Sequence, residues 1–179
     1  MSRIATPAVD TATGSTAEVY AKVRKGTGGK LPNVYATLGQ LAPAVLDTYL
    51  NADAVLAGAG LARKDLETIK LVASAQSGCD YCVAAHNMLG KLAGLSAEDV
   101  RALRHLEPTG DAKRDALTRF VLTLMQTRGT LPTEAVTAIR EAGYSDAQLV
   151  AMAFAISQIT FTNTFNRIND TDVDFPAAE

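Results

Sequence analysis

Residues 64–92 read KDLETIKLVASAQSGCDYCVAAHNMLGKL. Leu66, Ile69, Val72 and Ala73 recur at steps of three and four, which predicts one apolar face on a helix over Lys64–Gln76. Gly78 interrupts that pattern, and a second helix is predicted over Asp80–Leu92. The segment therefore reads as a helical hairpin turning at Gly78. Cys79, Cys82 and His86 stand at i, i+3 and i+7, so they share one face at the start of the second helix.

Working outward, helical periodicity recurs and no stretch alternates with the two-residue period of a strand. Helices are predicted at Glu18–Lys25, Asn33–Gln40 (with Asn33 as N-cap), Ala44–Ala57 and Ala97–His105, then at Ala112–Arg128, Thr133–Glu141 and Asp146–Phe165. Pro43 suits the first turn of the third of these, and Gly58 and Gly60 close it. Gly60-Leu61-Ala62, Gly94-Leu95-Ser96 and Gly143-Tyr144-Ser145 read as one recurring joint. Its glycine ends a helix, its apolar residue packs back, and Ser96 or Ser145 caps the next. The fold class is all-α, as a single multi-helix domain over residues 17–179 preceded by a disordered lead-in over 1–16. A weak internal repeat at an offset of about 83 residues pairs Leu66 with Leu149, Ser74 with Ser157, His86 with Asn169 and Asn87 with Asp170.

The chain of 179 residues is long enough for one self-sufficient core. Seventeen basic against 19 acidic side chains leave a net charge of −2, which disfavours a surface that neutralises phosphates, so no nucleic-acid partner is expected. The longest apolar stretch, residues 149–161, falls short of the roughly 20 residues that span a bilayer, so no membrane partner is expected either. Two cysteines without an apolar leader suggest a cytoplasmic setting, where a close cysteine pair serves chemistry or metal more often than stapling.

Unpaired N–H groups at a helix start lower a thiol's pKa, whereas Asp80 in the same turn opposes a second negative charge. His86, one turn beyond Cys82, is placed to take the thiol proton. In a hairpin turning at Gly78, Glu67 and His86 differ in height by only about 5 Å, so Glu67 can lie level with the imidazole. The plainer reading of Glu67 is an exposed side chain paired with Lys70. Three readings of the cysteines remain open: a redox or thiol role, a zinc site, and inert buried thiols. Structural zinc usually takes four ligands and no second Cys/His group exists, so no metal and no cofactor is expected. His105 reads as a helix C-terminal residue and Tyr81 as a packing residue. Asn163, Asn166 and Asn169 read as capping or subunit-contact residues.

Glu67, then Cys79 twelve residues on, then Cys82 and His86 resemble the Glu…Cys-x-x-Cys-x-x-x-His pattern of the AhpD-like alkylhydroperoxidases, within the carboxymuconolactone decarboxylase superfamily. The resemblance implies a homo-oligomer, a trimer or a hexamer. It also implies a peroxidase of the peroxiredoxin type, reducing alkyl hydroperoxides through a redox-active disulfide that an external dithiol or disulfide reductase regenerates. Carried over position by position, Cys82 would attack the peroxide, Cys79 would close the disulfide, His86 would be the base and Glu67 the end of a proton relay. Members of the family can carry a histidine immediately before the second cysteine, where this chain has Tyr81. The alternatives are a redox-sensing helical binding module and a carboxymuconolactone decarboxylase-type enzyme.

Overall fold

The computed structural model describes residues 1–5 and 8–177. Thr6 and Pro7, inside the predicted lead-in, and Ala178 and Glu179, at the end of the predicted domain, lie outside the described residues. After a single 3₁₀ turn at Val9–Thr11 come α1 (Gly14–Gly26), α2 (Asn33–Leu41), α3 (Pro43–Ala57), α4 (Arg63–Ser77) and α5 (Asp80–Leu92). Then follow α6 (Ala97–Arg104), α7 (Ala112–Gln126), α8 (Thr133–Glu141) and α9 (Asp146–Asn169). Among the described residues there is no strand, and the fold is all-α.

The centre of the molecule is α4, packed against α5, α7 and α9. Every residue from Leu66 to Ser74 is buried. A helix covered on all sides brings its polar residues inside too, and these need partners. Ser74 Oγ donates to the Lys70 carbonyl (2.7 Å) and to Asn163 Oδ1 (3.1 Å), tying α4 to α9. Lys70 Nζ reaches Asp53 on α3 at 2.8 Å.

The predicted helical joints are present. Gly60, Gly94 and Gly143 have φ of 83°, 93° and 91°, and Leu61, Leu95 and Tyr144 behind them are buried. Ser96 and Ser145 each close a capping box, with Asp99 and Gln148 respectively. Gly78 is the C-cap of α4 at φ 65°, ψ 39°, a left-handed conformation that a side chain would oppose.

Two boundaries differ by more than a residue or two. Helix α1 begins at Gly14, inside the predicted lead-in, and the first residues meet the end of α9: the Arg3 and Ile4 amides donate to the Asn169 carbonyl (2.6 Å) and Asn169 Oδ1 (2.7 Å). Helix α9 runs on from Phe165 to Asn169, because Asn166 and Asn169 are buried and add a further turn of inward face. At the repeat offset the start of α4 falls on the start of α9. Gly78 then falls on Phe161, where α9 continues straight.

Candidate functional site

Helix α5 begins beside the Gly78 turn, with Cys79 as its N-cap and the Cys79 thiol in place of the usual hydroxyl or carboxylate. The Cys82 amide donates to Cys79 Sγ at 3.4 Å. Both cysteines are buried and both are free thiols. From α9, Asn166 Nδ2 donates to Cys82 Sγ at 3.2 Å. One turn beyond Cys82, His86 Nδ1 lies 2.8 Å from Glu67 Oε2, with both side chains buried.

The hairpin therefore sets Glu67 level with His86, as its turn predicts. The plainer expectation, an exposed Glu67 paired with Lys70, does not hold, because Asp53 takes Lys70 and Glu67 is only 7% exposed. Burial pushes the Glu67 carboxyl up. The adjacent His86 ring, hydrogen-bonded to it, together with Lys70 and Arg63, more than reverses this and holds it below the ordinary glutamate value.

The two sulfurs are electrostatically unequal. Hydrogen bonding from the Cys82 side chain holds the Cys79 thiol below the ordinary cysteine value, against burial, and the Cys82 amide adds to this. That same hydrogen bond, joined by burial, drives Cys82 far above it, and Asn166 and Thr162 offset only part of the rise. Resting negative charge therefore favours Cys79. Access favours the other sulfur: Cys82, Glu67 and His86 line a cavity of about 780 Å³, and Cys79 does not.

Around that cavity Tyr35, Tyr49, Thr162 and Asn166 stand with the site. Burial and the nearby Asp53 carboxylate push Tyr35 up to about 12, so its hydroxyl keeps its proton at neutral pH. Tyr81 both packs and bonds: its ring meets Phe175 edge-on with centroids 5.4 Å apart, it accepts from the Val34 amide (3.2 Å), and it donates to Asp174 (2.7 Å). The Asn33 amide also donates to Asp174 (2.9 Å), which straps the C-terminal segment across this side of the cavity. His105 caps α6 at its C-terminus. Among the described residues no three His, Cys, Asp or Glu side chains are grouped so as to hold a metal ion. No helix among them is long and apolar enough to cross a membrane.

Residues 43–122 match the model of the carboxymuconolactone decarboxylase family. Over that segment the chain is similar to the carboxymuconolactone decarboxylase family, and its fold is AhpD-like. The matched segment runs from the first residue of α3 into α7 and contains Glu67, Cys79, Cys82 and His86. Three solved structures share the fold over most of the chain. The uncharacterized peroxidase-related protein of Ralstonia eutropha JMP134, an alkylhydroperoxidase AhpD core, has TM-score 0.85 at 20% identity, covering 97% of this chain and 92% of that one. A peroxidase-related protein from Silicibacter sp. TM1040 has TM-score 0.81 at 16% identity, covering 99% and 96%. The debrominase Bmp8 has TM-score 0.73 at 17% identity, covering 89% and 86%. No curated protein matches the sequence.

Asn166, Tyr35 and Phe175 lie outside the segment that matches the family model, and sequence reasoning missed all three as parts of the site. A signal existed for Asn166. Asn163, Asn166 and Asn169 recur every three residues on an otherwise apolar helix, which marks a buried polar stripe. Asn163 serves α4, Asn169 serves Ile4 and Thr171, and only Asn166 serves a thiol.

Proposed function

We propose that the chain is a thiol-dependent hydroperoxide reductase of the peroxiredoxin type, working through Cys82, Cys79, His86 and Glu67. The observation that carries this reading is that Cys82 faces the cavity while its neighbour Cys79 is turned away and more acidic. In the first step the Cys82 thiol gives its proton to His86, whose other ring nitrogen is held by the Glu67 carboxylate. The sulfur attacks the terminal peroxide oxygen and the O–O bond breaks. Cys82 becomes a sulfenic acid, and the departing alkoxide takes the proton back from His86 as an alcohol. Cys79 then displaces the sulfenic oxygen as water and the disulfide forms.

The inequality of the sulfurs also suits the return step. An incoming thiolate from an external dithiol reaches Cys82 through the cavity and expels Cys79, whose departing thiolate accepts the Cys82 amide hydrogen bond. The second thiol of the donor then releases Cys82, so two electrons enter and two cysteine thiols return. Such a cycle belongs in a reducing compartment such as the cytoplasm.

A homo-oligomer, trimer or hexamer, is part of the same reading. Val150, Phe154, Phe161 and Ile168 stay exposed along one stripe of α9, at 72%, 36%, 36% and 60%. Exposed apolar residues aligned on one helix face support an interaction surface there. Light scattering should show a multimer that Phe154→Asp together with Phe161→Asp dissociates.

The test of the chemistry is titration of the reduced protein with one equivalent of organic hydroperoxide. Two titratable thiols should disappear, with a mass loss of two hydrogens. Survival of both thiols in excess peroxide sinks the reading. Reversible disulfide formation without turnover under any dithiol would instead make the chain a redox-sensing binding module.

A further inference from the structure

We infer that the substrate of this site is an organic hydroperoxide that also carries a carboxylate, held by Arg63 at the mouth of the cavity. This rests on the reading of Cys82 as the attacking thiol, and so of the cavity as the path of the peroxide.

The cavity has two distinct linings. Its walls are largely aliphatic, with Leu50, Leu56, Leu61 and Leu89 among them, so the body it accommodates is apolar. The charged lining residues are Lys22, Lys30, Arg63 and Lys70 against Asp53 and Glu67. A chain of net charge −2 thus concentrates positive charge around this one cavity. The pairing of these charges shows what is left for a ligand. Glu67 is occupied by His86, Lys70 by Asp53 at 2.8 Å, and Lys22 by Asp47 at 2.7 Å. Arg63 and Lys30 make no ion pair among the described residues.

Arg63 is also in register with the chemistry. It opens α4 one turn before Glu67, so Arg63, Glu67 and Lys70 follow one face of the helix at i, i+4 and i+7. The rise from Arg63 to Glu67 is about 6 Å. A guanidinium on that face, close enough to Glu67 to help hold its charge, can pair with a carboxylate while the peroxide lies between Cys82 and His86. Its planar fork pairs with a carboxylate through two parallel hydrogen bonds. A neutral hydroperoxide of the same body would fill the apolar walls and leave the guanidinium without a partner.

The matched probes are 4-carboxy-cumene hydroperoxide and its methyl ester, which share body and peroxide and differ in charge. With a dithiol as reductant, kcat/KM for the acid should exceed that for the ester by about three- to tenfold, the range for one partly exposed charge-assisted pair. Arg63→Ala should bring the ratio to about one, and Arg63→Lys should keep part of it. Raising the salt concentration should lower the ratio in the unmodified protein. Equal turnover of acid and ester, or a preference that Arg63→Ala leaves intact, overturns the inference and leaves the peroxidase reading standing.

Binding of 4-isopropylbenzoate, which has no peroxide, keeps the two questions apart. Calorimetry should show it binding at least threefold more weakly to Arg63→Ala than to the unmodified protein. If no hydroperoxide is turned over but this difference is found, the peroxidase reading fails and the carboxylate site stands. Equal binding to both proteins overturns the site.

Discussion

The α4–α5 hairpin and helix α9 can be compared position by position at the 83-residue offset. Glu67 and His86 are nineteen residues apart, as are the matching Val150 and Asn169. In straight α9 that separation is about 28 Å. In the hairpin, the turn at Gly78 brings the two side chains to 2.8 Å. Position 67 is a buried carboxylate, whereas its counterpart Val150 is 72% exposed. The same helical periodicity yields a buried, hydrogen-bonded Glu–His pair where the chain turns and a surface stripe where it does not. Helix α9 still contributes to the site, but from the side, through Asn166 and Thr162.

If the hairpin holds the chemistry, its removal should cost far more than changes in α9. Cys82→Ser should abolish peroxide turnover, while Cys79→Ser should leave a sulfenic acid that dimedone traps. The opposite pattern would exchange the roles of the sulfurs. In Cys82→Ala the Cys79 thiol loses its side-chain hydrogen bond, so its titration, followed by thiolate absorbance, should move upward. His86→Gln should lower kcat/KM by about a hundredfold, the ordinary contribution of a positioned base.

Glu67→Gln should lower kcat/KM by about tenfold, because the ring stays hydrogen-bonded but loses the charge that supports its protonated form. This variant also tests the pairing through acid stability. A carboxyl held below its ordinary value stabilises the fold fully above that ordinary value, and the contribution is lost as pH falls through the lowered one. Urea unfolding followed downward from pH 5 should therefore show a smaller loss in Glu67→Gln than in the unmodified protein. Gly78→Ala should cost about 1 kcal/mol in the same assay, because alanine opposes the left-handed turn. Asn166→Ala, the change on the α9 side, should have the smallest effect, a few-fold slower alkylation of Cys82, as expected for one hydrogen bond of about 1 kcal/mol. A larger loss for Asn166→Ala than for Glu67→Gln would break the comparison.

What the residues disclosed in advance was what local rules govern. Periodicity and the Gly-x-Ser joints placed α5 and α8 to the residue and α4 within one at each end, because capping and helix pattern depend on neighbours in the chain. The hairpin turn allows Glu67 to lie level with His86, although the plainer reading of the residues has it exposed and paired with Lys70. Asn166 was not legible as a thiol donor, nor Tyr35 as a cavity wall, because each reaches the site through tertiary packing alone. Lys70 shows the limit most clearly. Glu67 lies three residues away on the same helix, yet the partner that takes Lys70 is Asp53 from another helix.

The Gly78 turn also bears on the order of folding. Glu67, Cys79, Cys82 and His86 meet through contacts spanning at most nineteen residues, whereas the Asn166 contact with Cys82 spans 84. Closing the short loop is faster and costs less chain entropy, so the hairpin should assemble before α9 docks. For that interval the thiols are paired but uncovered. Pulsed alkylation during refolding should find both reactive early, with Cys79 protected and Cys82 reached only through the cavity once α9 arrives. A chain refolding under oxidising conditions is therefore exposed to disulfide closure before its core has finished forming.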